Sequence, residues 1–138
     1  MEVKTLGPLV AGFLKIGRDM NASFAEDILS PEFRQQYPDV VKNIRAAAKR
    51  DPASHLGLAL LLLAAAQHDA TKLLPKVKAP TLVIAGAKDT LLSSSNQRRM
   101  AKLLRADFTE IPGCGHDLSL EKPKRTARLV SAFCNAPL

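Results

Sequence analysis

The run of residues from Thr81 to Ala85 constrains the fold more than any other part of the sequence. It is apolar or β-branched at every position, and it lies between Pro80 and Gly86. A short continuous run with these boundaries is typical of a strand that is buried on both faces of a parallel sheet. We therefore predict a strand over 81–85 that other elements cover on both faces.

A helix and a second strand follow this run. Ser93 to Ser95 offer N-caps for a helix that continues through Arg105, and residues 107–111 have the pattern of a second short strand. A strand, a helix and a strand in this order form the crossover unit of a parallel sheet. The sequence therefore predicts an α/β fold that is rich in helices and has a short parallel sheet.

The chain is predicted to end in a helix that begins at Pro123, since proline fits the first helical position. Ala127, Val130 and Phe133 recur in this segment at helical spacing. We expect these three side chains to face inward.

The first 74 residues are helical in character throughout. Helices are predicted over 6–16, 39–50 and 53–67, where apolar residues recur at helical spacing. The last of these is apolar on nearly every face, so we expect it to be buried on all sides. We predict one domain, 1–138, in which a helical segment over 1–74 precedes a strand-helix-strand-helix segment over 75–138.

The composition is that of a soluble globular protein, with 46% hydrophobic and 24% charged residues. Leu56–Ala66 is the longest apolar stretch, and its 11 residues are fewer than the ~20 that span a membrane. The net charge is +7, and some of the basic residues are clustered. A nucleic-acid-binding surface is nevertheless not indicated, because aromatic residues make up only 4% of the sequence and no nucleic-acid-binding motif is present. We therefore expect solvated basic helix faces and no membrane or nucleic-acid partner.

The cysteine pattern excludes a disulfide framework and a zinc site. Cys114 and Cys134 are the only cysteines, and no Cys or His spacing is typical of metal binding. The first residues lack a convincing signal-peptide cleavage site. We expect two free thiols in the reducing cytoplasm and no metal.

Both predicted strands are followed by residues that can carry chemistry. Asp89 comes three residues after Gly86, and His116 follows the second strand in the sequence Gly113-Cys-Gly-His. Functional groups of α/β sheets cluster where parallel strands end. An Asp beside a His is the orienting half of a nucleophilic triad, in which the carboxylate holds the imidazole tautomer. Asp89 and His116 are therefore the candidate catalytic residues.

Other roles compete with this interpretation. Asp89 could be an ordinary Asx-turn residue, and Asp117 is a rival acid. Cys114 lies close enough to His116 in sequence to suggest a Cys–His nucleophile. His55 and His68 flank the apolar helix, and we expect them to be helix-end residues rather than ligands.

The two motifs together resemble the C-terminal third of the α/β-hydrolase superfamily, namely Pro80-Thr-Leu-Val-Ile-Ala-Gly-Ala-Lys-Asp89 and Pro112-Gly-Cys-Gly-His116. Glu121-Lys-Pro123 and the final helix resemble the usual end of this family. Residues 30–33 and 51–69 are similar to the helical cap and the following helix of lactonase- and esterase-like members. The resemblance implies that Asp89 is the triad acid and His116 the general base. It also implies a carboxylic-ester or lactone substrate and no cofactor.

Two family features are missing from these 138 residues. They contain no Gly-x-Ser-x-Gly nucleophile elbow and no His-Gly oxyanion segment. From the resemblance we expect these residues to begin after the sixth strand of the family fold. Without a nucleophile and oxyanion donors most of the rate would be lost, so we expect the chain to be inactive alone.

The small predicted sheet also raises the question of a partner. Two parallel strands leave unpaired edges, and the apolar helix over 53–67 needs more cover than they offer. We therefore expect either a homodimer or association with an N-terminal half that these residues lack. The alternative to a hydrolase is a non-catalytic protein, derived from one, that dimerises or binds a partner.

Overall fold

The computed structural model describes residues 27–51 and 54–137 of the 138-residue chain. The helix predicted over 6–16 lies outside the described residues. The elements that fall wholly within them are, in order, α1 (Pro31–Gln36), α2 (Pro38–Arg50), α3 (His55–Gln67), β1 (Leu82–Gly86), α4 (Ser94–Leu104), β2 (Asp107–Ile111), α5 (Leu118–Glu121) and α6 (Pro123–Cys134). A short 3-10 turn, Leu74–Lys76, lies between α3 and β1.

The two strands pair in parallel, with Leu82 opposite Asp107 and Gly86 opposite Ile111. Helix α4 joins them and packs against both. The α/β fold with a short parallel sheet is therefore confirmed. The first strand begins one residue later than predicted, although the carbonyl oxygen of Thr81 still accepts a hydrogen bond from the Asp107 N–H at 3.1 Å.

Serine side chains start three of the helices. Ser30 Oγ accepts the Phe33 N–H ahead of α1, Ser54 Oγ accepts the Gly57 N–H at α3, and Ser93 Oγ does the same at α4. Such caps satisfy backbone donors that the first helical turn leaves without a partner. The predicted N-cap of α4 at Ser93 is thus confirmed.

Two groups of buried side chains hold the fold together. One joins α1, α2 and the segment before them through Leu29, Phe33 and Val41. The other comprises the buried apolar residues of the two strands, α4 and the loop after β2, which are Val83, Ala85, Ala101, Ile111 and Cys114. Leu120 of α5 packs against the first group, so the chain after β2 is tied to the helices at the beginning of the described region.

The expectation that the apolar helix is buried on all sides is wrong. Leu56, Leu60, Leu61 and Leu63 of α3 are between 54% and 69% exposed. The sheet of two strands is covered by α4, and no described element packs extensively along α3. This helix has 13 residues, and no helix in 27–51 or 54–137 combines the length and apolar character that a membrane crossing requires.

The prediction for the inward face of α6 holds for one of its three residues. Phe133 is partly buried as expected, but Ala127 and Val130 are exposed, and Thr126 and Leu129 are partly buried in their place. The Thr126 hydroxyl donates to a backbone carbonyl of α5 at 2.9 Å. Thr126 therefore contributes a polar contact to the face of α6 that also carries Leu129 and Phe133.

Candidate active site

Two loops meet at the carboxyl end of the sheet because glycine allows them to touch. A Cβ on Gly86 would lie 2.0 Å from the carbonyl oxygen of Gly115, and one on Gly115 would lie 2.7 Å from that of Ile28. The Lys88 N–H donates to the Cys114 carbonyl at 2.8 Å across the first of these contacts. The loop after β2 is therefore held between the end of β1 and the segment that precedes α1.

His116 lies at the end of this loop. Its backbone N–H donates to the carbonyl of Ile28 at 2.7 Å, and its own carbonyl accepts from the Leu118 N–H at 3.1 Å. The His116 side chain is 35% exposed, so the imidazole keeps an accessible edge. The backbone of this residue is thus fixed from both sides while part of its ring faces outward.

Asp89 is bonded to the imidazole. Its Oδ2 lies 2.9 Å from His116 Nδ1, and its side chain is only 3% exposed. Its Oδ1 accepts the backbone N–H groups of Leu91 and Leu92 at 2.9 and 2.8 Å, which fixes the carboxylate in an Asx-type turn. The structure thus brings the two candidate residues together at the carboxyl end of the sheet, within hydrogen-bond distance.

This geometry determines the tautomer of the neutral imidazole. An ionised carboxylate can only accept, so Nδ1 of His116 carries the proton and donates it to Oδ2. The lone pair of the neutral ring then resides on Nε2. The arrangement can orient an imidazole to take a proton from a group placed next to Nε2.

A buried glutamate supports the same loop, and the sequence-based search for catalytic residues missed it. Glu121 is 7% exposed, and its Oε1 accepts the Gly115 N–H at 2.9 Å and the Ser30 N–H at 3.1 Å. Its Oε2 is buried and has no hydrogen-bond partner among the described residues. Its place in Glu121-Lys-Pro123 was the only signal, and that pattern does not reveal which groups the carboxylate meets.

The competing roles can now be compared with the structure. Asp117 is the N-cap of α5, where its Oδ1 accepts the Leu120 N–H at 3.0 Å, so this carboxylate is engaged away from the imidazole. Cys114 is fully buried, and burial, together with the nearby Glu121 carboxylate, raises the pKa of its thiol to about 11. A thiol held protonated is a poor nucleophile. His55 and His68 stand at the two ends of α3, as expected.

The described part of the chain offers no group of three or more His, Cys, Asp or Glu side chains arranged to hold a metal ion. Its chemistry-bearing cluster is the pair Asp89 and His116, with Gln97 as a third polar neighbour, since the Gln97 Nε2 lies 3.2 Å from Asp89 Oδ2.

The chain is similar in sequence and in fold to known hydrolases. The profile of the alpha/beta hydrolase family matches residues 4–129. The fold is similar to a hydrolase from Pseudomonas aeruginosa, with a TM-score of 0.76 and 25% identity over 99% of this chain and 51% of that one. It is also similar to an alpha/beta hydrolase from a deep-sea metagenome library, with a TM-score of 0.72 and 27% identity, over 99% and 48% of the two chains.

Curated relatives match shorter parts of their own length. A monoacylglycerol lipase of Rattus norvegicus is 37% identical over 59 residues, which is 42% of this chain and 18% of the lipase. An AB hydrolase superfamily protein of Bacillus subtilis is 25% identical over 119 residues, which is 86% of this chain and 41% of that protein. The chain therefore spans about half of the solved hydrolases and less than half of these curated relatives.

Proposed function

Because the chain belongs to the alpha/beta hydrolase family, we propose that Asp89 and His116 are the acid and the general base of a carboxylic-ester or lactone hydrolase. The observation that carries this proposal is the 2.9 Å contact between Asp89 Oδ2 and His116 Nδ1 at the carboxyl end of the sheet. The likeness to a monoacylglycerol lipase supports an ester substrate.

The mechanism follows from the tautomer. Asp89 holds the proton on Nδ1, so Nε2 of His116 accepts the proton of a serine hydroxyl as that oxygen attacks the carbonyl carbon. The imidazolium that results is stabilised by the buried Asp89 carboxylate, and it returns the proton to the leaving alkoxide. The reaction also needs the nucleophile and oxyanion donors, which sequence reasoning did not find in these 138 residues.

We further propose that the 138-residue chain by itself does not hydrolyse esters. Acid and base without a nucleophile provide only a small part of the rate of such enzymes. The test is the hydrolysis of an aryl ester by the purified chain, for which no saturable turnover is expected. Turnover that disappears in His116→Ala but survives in Cys114→Ala would contradict the proposal and indicate an unrecognised serine.

A chimera tests the roles of Asp89 and His116 directly. Residues 27–137 replace the matching half of the Pseudomonas aeruginosa hydrolase, whose remaining half is retained. Ester hydrolysis by the chimera should fall about 10⁴-fold in Asp89→Asn, because the wrong imidazole tautomer is then held, and at least as much in His116→Ala. Asp117→Asn is the matched control and should retain activity. Equal losses in Asp89→Asn and Asp117→Asn would refute the assignment.

A second candidate function is self-association, and the exposure of α3 favours it. Four of its leucines are more than half exposed, and burying one such side chain gains roughly 1.5–3 kcal/mol. A symmetric dimer that joins two copies of α3 is the simplest closed arrangement that would cover them. In this case the chain would be a non-catalytic binding protein derived from a hydrolase.

Sedimentation equilibrium distinguishes the two candidates. If the chain dimerises, the wild type at low micromolar concentration should sediment with twice the monomer mass of 14.9 kDa. The double variant Leu60→Gln, Leu63→Gln should then sediment as a monomer. A wild-type chain that sediments as a monomer and unfolds cooperatively would exclude the dimer.

We also propose that the protein works in a reducing compartment such as the cytoplasm. The buried thiol Cys114 and the exposed thiol Cys134, both unpaired, support this proposal.

A further inference from the structure

The Asp89 carboxylate is surrounded by four hydrogen-bond donors. The two backbone N–H groups of Leu91 and Leu92 bind Oδ1. The other oxygen, Oδ2, is shared between His116 Nδ1 at 2.9 Å and Gln97 Nε2 at 3.2 Å. The oxygen that faces the imidazole therefore has a second donor that comes from a different element of the fold.

Gln97 is held in place by the beginning of α4. Its backbone N–H donates to the carbonyl of Ser93 at 3.1 Å, and its side-chain nitrogen also donates to the Leu92 carbonyl at 2.9 Å. A backbone carbonyl and an ionised carboxylate can only accept. Both partners of this amide therefore require its nitrogen rather than its oxygen, so the network fixes which end faces Asp89.

We propose that Gln97 is a positioning residue that sets the strength of the hydrogen bond between His116 and Asp89. This inference rests on the proposed function, because it concerns the same acid–base pair. Because Oδ2 also accepts a hydrogen bond from Gln97, it attracts the imidazole N–H less strongly than it would with His116 as its single donor. The carboxylate does not turn away when Gln97 is lost, since the N–H groups of Leu91 and Leu92 still hold Oδ1.

The direction of the effect follows from this geometry. Without the Gln97 amide, Oδ2 has His116 as its remaining side-chain donor, and the Nδ1–H···Oδ2 bond becomes stronger. If Gln97 only supported the start of α4, its loss would have a different result. Removing its hydrogen bond to the Leu92 carbonyl would disturb the helix and leave the bond between His116 and Asp89 unchanged or weaker. The sign of the change therefore separates positioning from simple support of the helix.

The experiment uses the full chain with ¹⁵N-labelled histidine and follows the Nδ1-bound proton of His116 by NMR. His116→Gln assigns this resonance among the three histidines. In Gln97→Met the proton should move downfield and exchange more slowly with water, and Gln97→Ala is measured beside it in case one variant folds poorly. Ser93→Ala is the matched control, because it removes a cap at the same helix start without touching Asp89.

An unchanged or upfield proton in both Gln97 variants would overturn the proposal, as would an equal shift in Ser93→Ala. Absence of the resonance in the wild-type chain would also overturn it, because the bond that Gln97 is said to adjust would not persist. These readings need no turnover. The proposed function fails separately, if the chimera keeps its activity in Asp89→Asn.

Discussion

The loop that carries His116 and the helix α3 belong to one chain and are built in opposite ways. Around His116, Gly86 and Gly115 allow backbone contacts so close that no Cβ fits, and a buried carboxylate binds two of the N–H groups nearby. Along α3 four large apolar side chains are mostly exposed, and a cap at Ser54 defines its beginning.

This difference shows which part of the described structure satisfies its own polar groups and which part leaves apolar side chains exposed. Near His116 the polar groups that the loop turns inward find partners within the same chain, apart from one oxygen of Glu121. No described element packs extensively along helix α3, and its sequence suits a protein interior rather than water. The contact between Asp89 and His116 is thus organised by the described residues themselves, whereas four leucines of α3 remain mostly exposed in the same part of the chain.

The largest effect should come from adding one methyl group at the loop. In Gly86→Ala the new Cβ would lie 2.0 Å from a backbone oxygen of Gly115, which cannot move without shifting the whole His116 loop. We expect the free energy of unfolding to fall by about 4 kcal/mol or more, as measured by urea denaturation.

Gly57→Ala in α3 is the matched control for this change. Its Cβ would meet the nearest atom, Ser54 Cβ, at an ordinary 3.6 Å. Alanine inside a helix should stabilise the chain by about 0.5–1 kcal/mol. If the two glycine variants unfold at the same urea concentration, the contrast between the loop and α3 is wrong.

The next effect concerns Glu121. Replacement by leucine removes the acceptor for the N–H groups of Ser30 and Gly115 and leaves both of them buried. An unsatisfied buried donor costs about 1–3 kcal/mol, so Glu121→Leu should lower the free energy of unfolding by roughly 2–5 kcal/mol. Glu121→Gln retains a carbonyl acceptor and should lose less. Equal stability of Glu121→Leu and the wild type would mean that these hydrogen bonds do not hold the loop.

Alkaline pH should produce a smaller loss through Cys114. Its pKa is raised from an ordinary value near 9 to about 11 in the folded chain, chiefly by burial. The unfolded chain therefore loses this proton first. The contribution of Cys114 to stability is constant below about pH 9 and falls by about 2 kcal/mol as the pH rises to 11. Urea denaturation at intervals of pH measures this slope. Cys114→Ala should flatten it, and a slope that persists in Cys114→Ala would have to arise elsewhere.

The strands and the meeting of Asp89 with His116 could be predicted because their signals are local. A continuous β-branched run between Pro80 and Gly86 identifies a buried strand, and the parallel arrangement then brings Asp89 and His116 to one edge. Each of these inferences needs only a few consecutive residues and a general rule about parallel sheets.

The supporting residues could not be predicted because no local pattern specifies which groups their side chains meet. Glu121 bonds to Ser30 across 91 positions, and Gln97, although only eight positions from Asp89, lies in a helix whose sequence pattern does not show that its amide reaches this carboxylate. The face of α6 was predicted correctly at Phe133 but wrongly at Ala127 and Val130, and the hydrogen bond from the Thr126 hydroxyl to α5 is a contact that an apolar pattern does not reveal. An apolar pattern indicates that a helix face should be covered, but it does not say which segment covers it.

The smallest effect is expected on α3. Leu56, Leu60 and Leu63 recur at intervals of four and three residues, so they share one helix face, and all three are more than half exposed. Their replacement by glutamine should change the free energy of unfolding by no more than about 0.5 kcal/mol each. Leu29→Ala, at a site that is 3% exposed, should lower it by about 2–5 kcal/mol, because that change opens a cavity in the core. Urea denaturation is followed at a concentration where sedimentation detects monomer alone. A loss above 2 kcal/mol in the α3 variant would mean that this helix is packed within the monomer, and the contrast with the His116 loop would disappear.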